Sequence, residues 1–411
     1  MAGKTYLNLL SLLMFNRAYD SKTLSTLYGN DYIATKFRQR LLEEGHAKKQ
    51  TIVLKEKKQR SVTLFTLTRK GYQYLTEHEP NITHSLCLNE LDESIPLRSE
   101  FETKTTAKLR LIRRTKALTV AVKAGAYVPV ENYTVKTKDV RPDGDYGMAE
   151  YIAENINVKD YETIDLYRQS KENFPFVFHN DTCIKAVAGN VNETVSVKDG
   201  SSGRYSGVID SQLKSILLYV APVYGMSWTT WLVQREVASY SVWTKLKSIA
   251  EKSLIRHNGR CAALIVDNAR RFAELYKNTD EARIDKKCSF GDPFDHFYII
   301  PADTDGPKHL HWLLTTNDDE MNRDIIASAI KSGMYSKNSR FKPGLFPLLS
   351  EDNNPTAIGF QFDTKHLQRV ENEIVLNPSV SFTLLCFDWQ EDYYKRVLPE
   401  NVTIVPLPME E

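Results

Sequence analysis

The sequence predicts an α/β chain in which a small helical unit with a basic hairpin precedes a larger body of alternating strands and helices. Three observations predict it. Apolar residues recur at helical spacing over 7–44, and two alternating runs at 50–55 and 62–67 flank a charged loop. From 203 onward, short strand-like apolar runs alternate with amphipathic segments, the pattern of a three-layer α/β domain around a mostly parallel sheet.

In the N-terminal unit, Leu7, Leu10, Leu13 and Met14 make the buried stripe of a first helix. Asp20 or Ser21 can cap a second helix carrying Leu24 and Leu27, and Gly29 closes it. Asn30 or Asp31 caps a third helix running to about Glu44, stopped by Gly45. In that third helix Ile33, Phe37 and Leu41 repeat every four residues and are expected in the core. Tyr32, Thr35, Lys36, Gln39 and Glu43 are left outside, with Arg38 and Arg40 flanking. The runs 50–55 and 62–67 predict two strands joined by Glu56-Lys57-Lys58-Gln59-Arg60-Ser61.

Three helices followed by a basic hairpin have the spacing of a winged helix-turn-helix over 1–80. The third helix would then be the recognition helix and the charged loop the wing. Arginine and glutamine pair bidentately with base edges, while lysine and threonine reach phosphates. The expected contacts to double-stranded DNA are Thr35, Lys36, Arg38, Gln39 and Arg40 from the helix and Lys57, Lys58 and Arg60 from the wing. The closing run Leu67-Thr68-Arg69-Lys70-Gly71-Tyr72 resembles the end of the wing in bacterial winged-helix regulators, where the chain turns into the next helix at the glycine. A protein–protein or dimerisation module is the other reading of such a unit, and charge weighs against it. Residues 1–80 carry 14 Lys and Arg against 7 Asp and Glu, a net of +7, which leaves −5 for the rest of a chain whose total is +2. A basic segment on a mildly acidic body is the footprint that phosphate neutralisation requires.

At 411 residues, with 42% hydrophobic and 26% charged residues, the chain has the bounds of a soluble globular protein of two or three domains. No apolar run approaches a membrane span, no signal segment opens the sequence, and five scattered cysteines fit reduced thiols, so a cytoplasmic protein without membrane contact is expected. Residues 81–103 have the composition of a linker. Residues 104–202 open with a helix carrying seven basic and no acidic residues over 104–123, then turn polar, as a region wrapping the core of the 203–411 domain would. That basic helix presents either a solvated face or a further DNA contact.

A basic winged helix, a linker and an α/β domain whose first strand holds Gly207-Val208-Ile209-Asp210 resembles, in layout, the replication-relaxation family of bacterial plasmids, phages and conjugative elements. The resemblance implies a nuclease-like α/β body and a role in replication, maintenance or transfer. In a restriction-nuclease-like core Asp210 would be the metal-binding acid, and the next strand should carry an acid, any residue, then lysine. It reads Leu217-Leu218-Tyr219-Val220-Ala221 instead, so Glu236 and Lys245 of the following segment would have to take those roles, or the core is degenerate and non-catalytic.

His309-Leu310-His311 lies in a run, 308–314, that the alternation predicts to be a strand, with both rings on one face. The pair resembles the metal site of rolling-circle initiators and relaxases, which implies Tyr335 as nucleophile and His309 and His311 as ligands of Mg or Mn. The preferred expectation is a DNA-binding protein with no cofactor and a non-catalytic body that contacts a second copy or a protein partner. A divalent-metal-dependent DNA-nicking enzyme and a transcriptional regulator with a ligand-sensing body are the alternatives.

Overall fold

The computed structural model of the chain describes residues 18–21, 23, 31–54, 60–78, 105–126, 175–180, 205–221, 259–277 and 294–409. The first helix expected over 7–14, the expected second helix beyond Thr23, the linker at 81–103 and the tip of the wing at 55–59 lie outside them. Among the described residues the fold is mixed α/β, with eight α-helices and three sheets. It forms two compact units, one holding the described residues through Asp210 together with 218–221, the other holding Ser211–Leu217 and 259–409.

In the first unit β1 (Ala18–Asp20) precedes α1 (Asp31–Glu43), β2 (Ala47–Leu54), β3 (Arg60–Leu67) and α2 (Arg69–His78). Strands β2 and β3 pair as an antiparallel hairpin, with Thr51 opposite Thr63, and β1 adds to the free side of β3, with Tyr19 opposite Phe65. The strand order is β1-β3-β2. Tyr19, Ala34, Leu41, Leu64, Leu67 and Leu75 are the least exposed apolar side chains of this layer, each at 1% or less. Helix α3 (Thr105–Lys123) packs on β1 and on β4 (Phe176–Asn180), burying Ile112, Thr115 and the run 117–121. Threonine and alanine let its backbone come close to the strands, so the helix read from its basic residues has a core face as well as a charged one. Strand β5 (Gly207–Ser211) and β6 (Ser215–Val220) follow, each buried throughout.

In the second unit β7 (Cys261–Val266) leads through α4 (Ala269–Lys277) to β8 (His296–Pro301), paired in parallel with Leu264 opposite Ile299. The uninterrupted burial of β7 is what a parallel strand covered on both faces requires. Next come α5 (Asp305–Thr315), α6 (Asp318–Lys331), β9 (Tyr335–Lys337), β10 (Leu348–Ser350), β11 (Pro355–Ile358), α7 (Thr364–Leu376), β12 (Phe382–Phe387), a 3-10 turn at Asp388–Gln390, α8 (Glu391–Lys395) and β13 (Val402–Leu407). The expected single central sheet is not formed. The five-stranded sheet that lies wholly within this unit has the order β13-β12-β11-β10-β9, with β11, β12 and β13 parallel and β10 and β9 antiparallel.

Two local findings correct the sequence reading. Residues 308–314 belong to helix α5 and not to a strand. Pro307 sits in its first turn, where no backbone N–H is needed, and His309, Leu310, Leu313 and Leu314 form one buried face at helical spacing. The apolar run 357–362 reads as a strand in sequence, but β11 ends at Ile358, and the chain then turns so that Phe362 takes a left-handed φ of 52°. A bulky residue tolerates that conformation only when packing holds it. Its ring is wedged 5.1 Å from Phe272 and 4.9 Å from Tyr394, centre to centre.

Candidate nucleic-acid interface

The N-terminal helices are positioned by short polar links. Asp20, the last residue of β1, makes the contact expected of an N-cap: its carboxylate accepts from the Thr23 backbone N–H at 3.2 Å and from the Thr23 hydroxyl, while the rest of the expected second helix, 24–30, lies outside the described residues. Helix α1 ends at Glu43, and Gly45 follows at φ +69°, the left-handed conformation that favours glycine. Thr68 donates its hydroxyl to the Gly45 carbonyl at 2.7 Å and its N–H to the His46 carbonyl at 3.0 Å, tying the end of α1 to the start of α2. A Cβ on Gly71 would stand 2.3 Å from the His46 carbonyl oxygen. The glycine is therefore required by the close crossing of α2 over this turn. Burial holds the His46 imidazole below its usual pKa despite Glu44 beside it, and its ring lies tilted against Tyr74, 4.3 Å between centres.

On α1 the buried positions are Ala34 and Leu41, with Phe37 and Arg38 half-buried beside them. Tyr32, Thr35, Lys36, Gln39 and Glu43 face solvent, as the periodicity predicts. Ile33 does not join the core: Ala34 takes its place, because a small side chain lets the helix lie close to the sheet, and Ile33 is left 41% exposed. The expected DNA contacts fall into different situations. Lys36 Nζ stands 4.6 Å above the Tyr32 ring at the surface. The Arg38 guanidinium donates to Ser21 Oγ and, at 2.6 Å, to Thr35 Oγ1, so it ties the residue after β1 to α1. Arg40 pairs with Glu44 at 2.7 Å one turn on. Gln39 is exposed. Arg60 opens β3, whereas Lys57 and Lys58 lie outside the described residues. Lys49 adds an exposed cation along β2.

The second unit does not bring the expected metal ligands together. In a helix, residues two apart point about 200° from each other. His309 is fully buried, its Nε2 3.3 Å from the Gln361 carbonyl oxygen, while His311 is exposed. Burial pushes His309 down to about 3, so the imidazole is neutral, and it sits among the rings of Trp312, Phe387 and Trp389. Tyr335 opens β9 packed against the cluster of Leu348, Ile358, Phe360, Leu385 and Phe387, and burial, with Glu351, raises its phenol pKa. Asp210 is buried at the end of β5; Glu236 and Lys245 lie outside the described residues. Among the described residues no group of three or more His, Cys, Asp or Glu side chains could hold a metal ion.

A polar cluster that the sequence did not announce stands at the amino-terminal ends of β7 and β8. Lys214, in the tight turn after β5, is buried, and its Nζ lies 2.7 Å from Asp318 Oδ1 at the start of α6. Tyr298 donates its hydroxyl to the other Asp318 oxygen at 2.9 Å. Ser211 Oγ accepts from the backbone N–H groups of Leu213 and Lys214, closing the turn that aims the lysine inward. Beside them His296 Nδ1 is 3.0 Å from Asp363 Oδ2, and Asp363 Oδ1 accepts from the N–H groups of Phe297 and Lys365. In α/β proteins ligands bind at the carboxyl ends of strands, so a satisfied cluster at the amino ends serves to join elements.

The His296–Asp363 pair makes the stability of this unit pH-dependent. The Asp363 hydrogen bond raises the imidazole above its usual value of 6.5, against burial; burial pushes the Asp363 carboxyl up, but His296 and the two backbone donors hold it below its usual 3.8. The histidine's contribution is full below 6.5 and is lost as pH rises through the raised value, and the carboxylate's is lost as pH falls through its lowered value. His296→Gln is therefore expected to lower the urea midpoint more at about pH 5.5 than at about pH 9; equal losses at both would contradict the assignment.

Compared with known proteins, the chain matches no family model, no curated protein and no solved structure. Among the described residues no helix is long and apolar enough to cross a membrane.

Proposed function

We propose that the chain binds double-stranded DNA, with the outer face of α1 in the major groove and the β2–β3 hairpin along the adjacent backbone. The observation that carries this reading is the face itself: Thr35, Lys36 and Gln39 are exposed on a helix whose opposite side is core, directly before an antiparallel hairpin, within a segment of net charge +7. The order helix, hairpin, with a first strand added to the hairpin, is that of a winged helix, in which the unit between strand one and the hairpin supplies the recognition helix. Gln39 fits the N6 and N7 groups of adenine, and Lys36 and Thr35 fit phosphate or guanine edges. Lys57, Lys58 and Arg60 serve the backbone from the wing. Arg38 and Arg40 already hold protein oxygens, so their part is to position the helix before any contact with DNA. The layout resemblance extends the proposal to a DNA-binding protein of a plasmid, phage or conjugative element, acting in replication, maintenance or transfer.

The test is Gln39→Ala, assayed on sequences selected by the wild-type chain from a randomised duplex pool. Loss of one bidentate base contact is expected to reduce discrimination at one base-pair position by about 1–3 kcal/mol, while affinity for random DNA stays unchanged. Equal losses on selected and random duplexes would mean that Gln39 does not touch a base.

A further inference from the structure

Two aliphatic side chains flank the polar ridge of α1. Ile33 is 41% and Leu42 39% exposed, whereas Ala34 and Leu41, each one position away, are fully buried. Residues three and four apart are neighbours on a helix surface. Leu42 therefore continues the stripe of Thr35 and Gln39, and Ile33 borders Lys36 from the other side. Apolar surface exposed singly is ordinary; here it brackets the side chains suited to base edges.

A surface complementary to this one must offer hydrogen-bonding edges, negative charge and small apolar groups at close spacing. The major groove over A·T pairs offers all three: adenine N6 and N7, the phosphates, and the thymine C5-methyl group. A protein partner would have to match an exposed polar ridge and a +7 segment with an acidic surface carrying apolar sockets, and nothing in the ridge favours sockets over a row of methyl groups.

Resting on the DNA-binding reading, we propose that Ile33 and Leu42 seat thymine methyl groups, so that α1 selects A·T pairs in its site. Burying one methyl corresponds to about fourfold in affinity. Sequences selected by the full-length chain from a randomised duplex pool are synthesised twice, with thymine and with deoxyuridine, which lacks the methyl group. The selected cores should be enriched in A·T pairs, and deoxyuridine should weaken binding by roughly fourfold to fifteenfold, for one or two methyls. The double variant Ile33→Ala, Leu42→Ala should bind both versions equally. The proposal is overturned if the selected duplexes bind with the same affinity in both versions, an outcome that needs no variant and leaves DNA binding itself intact. If no duplex is retained at all, the underlying reading fails and the proposal with it.

Discussion

Gly306→Ala should be the most damaging small substitution in the second unit, lowering its stability by about 3 kcal/mol or more. The added Cβ would stand 1.7 Å from the Pro301 carbonyl oxygen and 3.2 Å from the Ile300 side chain. No rotamer relieves a clash with backbone, so α5 would have to move away from the end of β8. That movement would disturb the whole buried face of α5, from His309 to Leu314, and the aromatic packing of His309 and Trp312 against Phe387. Gly344→Ala is the control. A Cβ there meets nothing within 4 Å, and the variant should stay within about 0.5 kcal/mol of wild type. Urea unfolding of the two variants checks the pair, and equal midpoints would contradict the packing of α5 on β8.

Lys214→Ala has the second largest expected effect. It strands the Asp318 carboxylate beside the buried Tyr298 hydroxyl, since Lys214 is its only cation among the salt bridges of the described residues. Removing one partner of a buried pair costs about 3–5 kcal/mol; Asp318 is 14% exposed, which places the expected loss near the lower end. Neutralising both sides should recover much of it. In Lys214→Met, Asp318→Asn the amide oxygen still accepts from Tyr298 and no charge is left buried. The double variant is therefore expected to be more stable than Lys214→Ala by at least about 1 kcal/mol, and the double-mutant cycle built from Lys214→Met and Asp318→Asn should show coupling. A single variant indistinguishable from wild type in urea unfolding would mean that the pair does not join the turn after β5 to α6.

What the sequence made legible was local. The hairpin showed itself as two alternating runs around a charged loop, and α1 as a helix begun at Asp31 and stopped by Gly45. The seven residues 308–314 misled because a window that short fits both a two-residue and a 3.6-residue period. Pro307 and the 3–4 spacing of Leu310, Leu313 and Leu314 were the signals for a helix. Ile33 was misassigned for a related reason: Ala34 is weakly apolar in sequence, yet its size lets it sit where a larger side chain would hold the helix off the sheet. The Lys214–Asp318 and His296–Asp363 pairs were beyond local reading, since their members lie 104 and 67 residues apart. Lys214 was passed over because it stands in the turn immediately before β6, not within a strand.

The candidate interface was legible to the same degree. Thr35, Lys36 and Gln39 are exposed where the helical period puts them, but the period cannot reveal that Arg38 is spent on Ser21 and Thr35 or that Arg40 pairs with Glu44. Those links divide the residues into two groups with different expected signatures. Lys36 and Gln39 should alter binding by contact. Arg38 should alter it by displacing the helix, at every sequence alike.

Whether the N-terminal segment binds DNA by neutralising phosphates is decided by the salt dependence of binding to a random-sequence duplex, for wild type and for the double variant Lys57→Ala, Lys58→Ala. Wild-type affinity is expected to fall steeply as salt rises, and the variant to bind more weakly at low salt with a log–log slope shallower by up to about 1.8, or about 0.9 for each phosphate no longer neutralised. No measurable binding at about 50 mM salt, or identical slopes for the two proteins, would contradict this expectation.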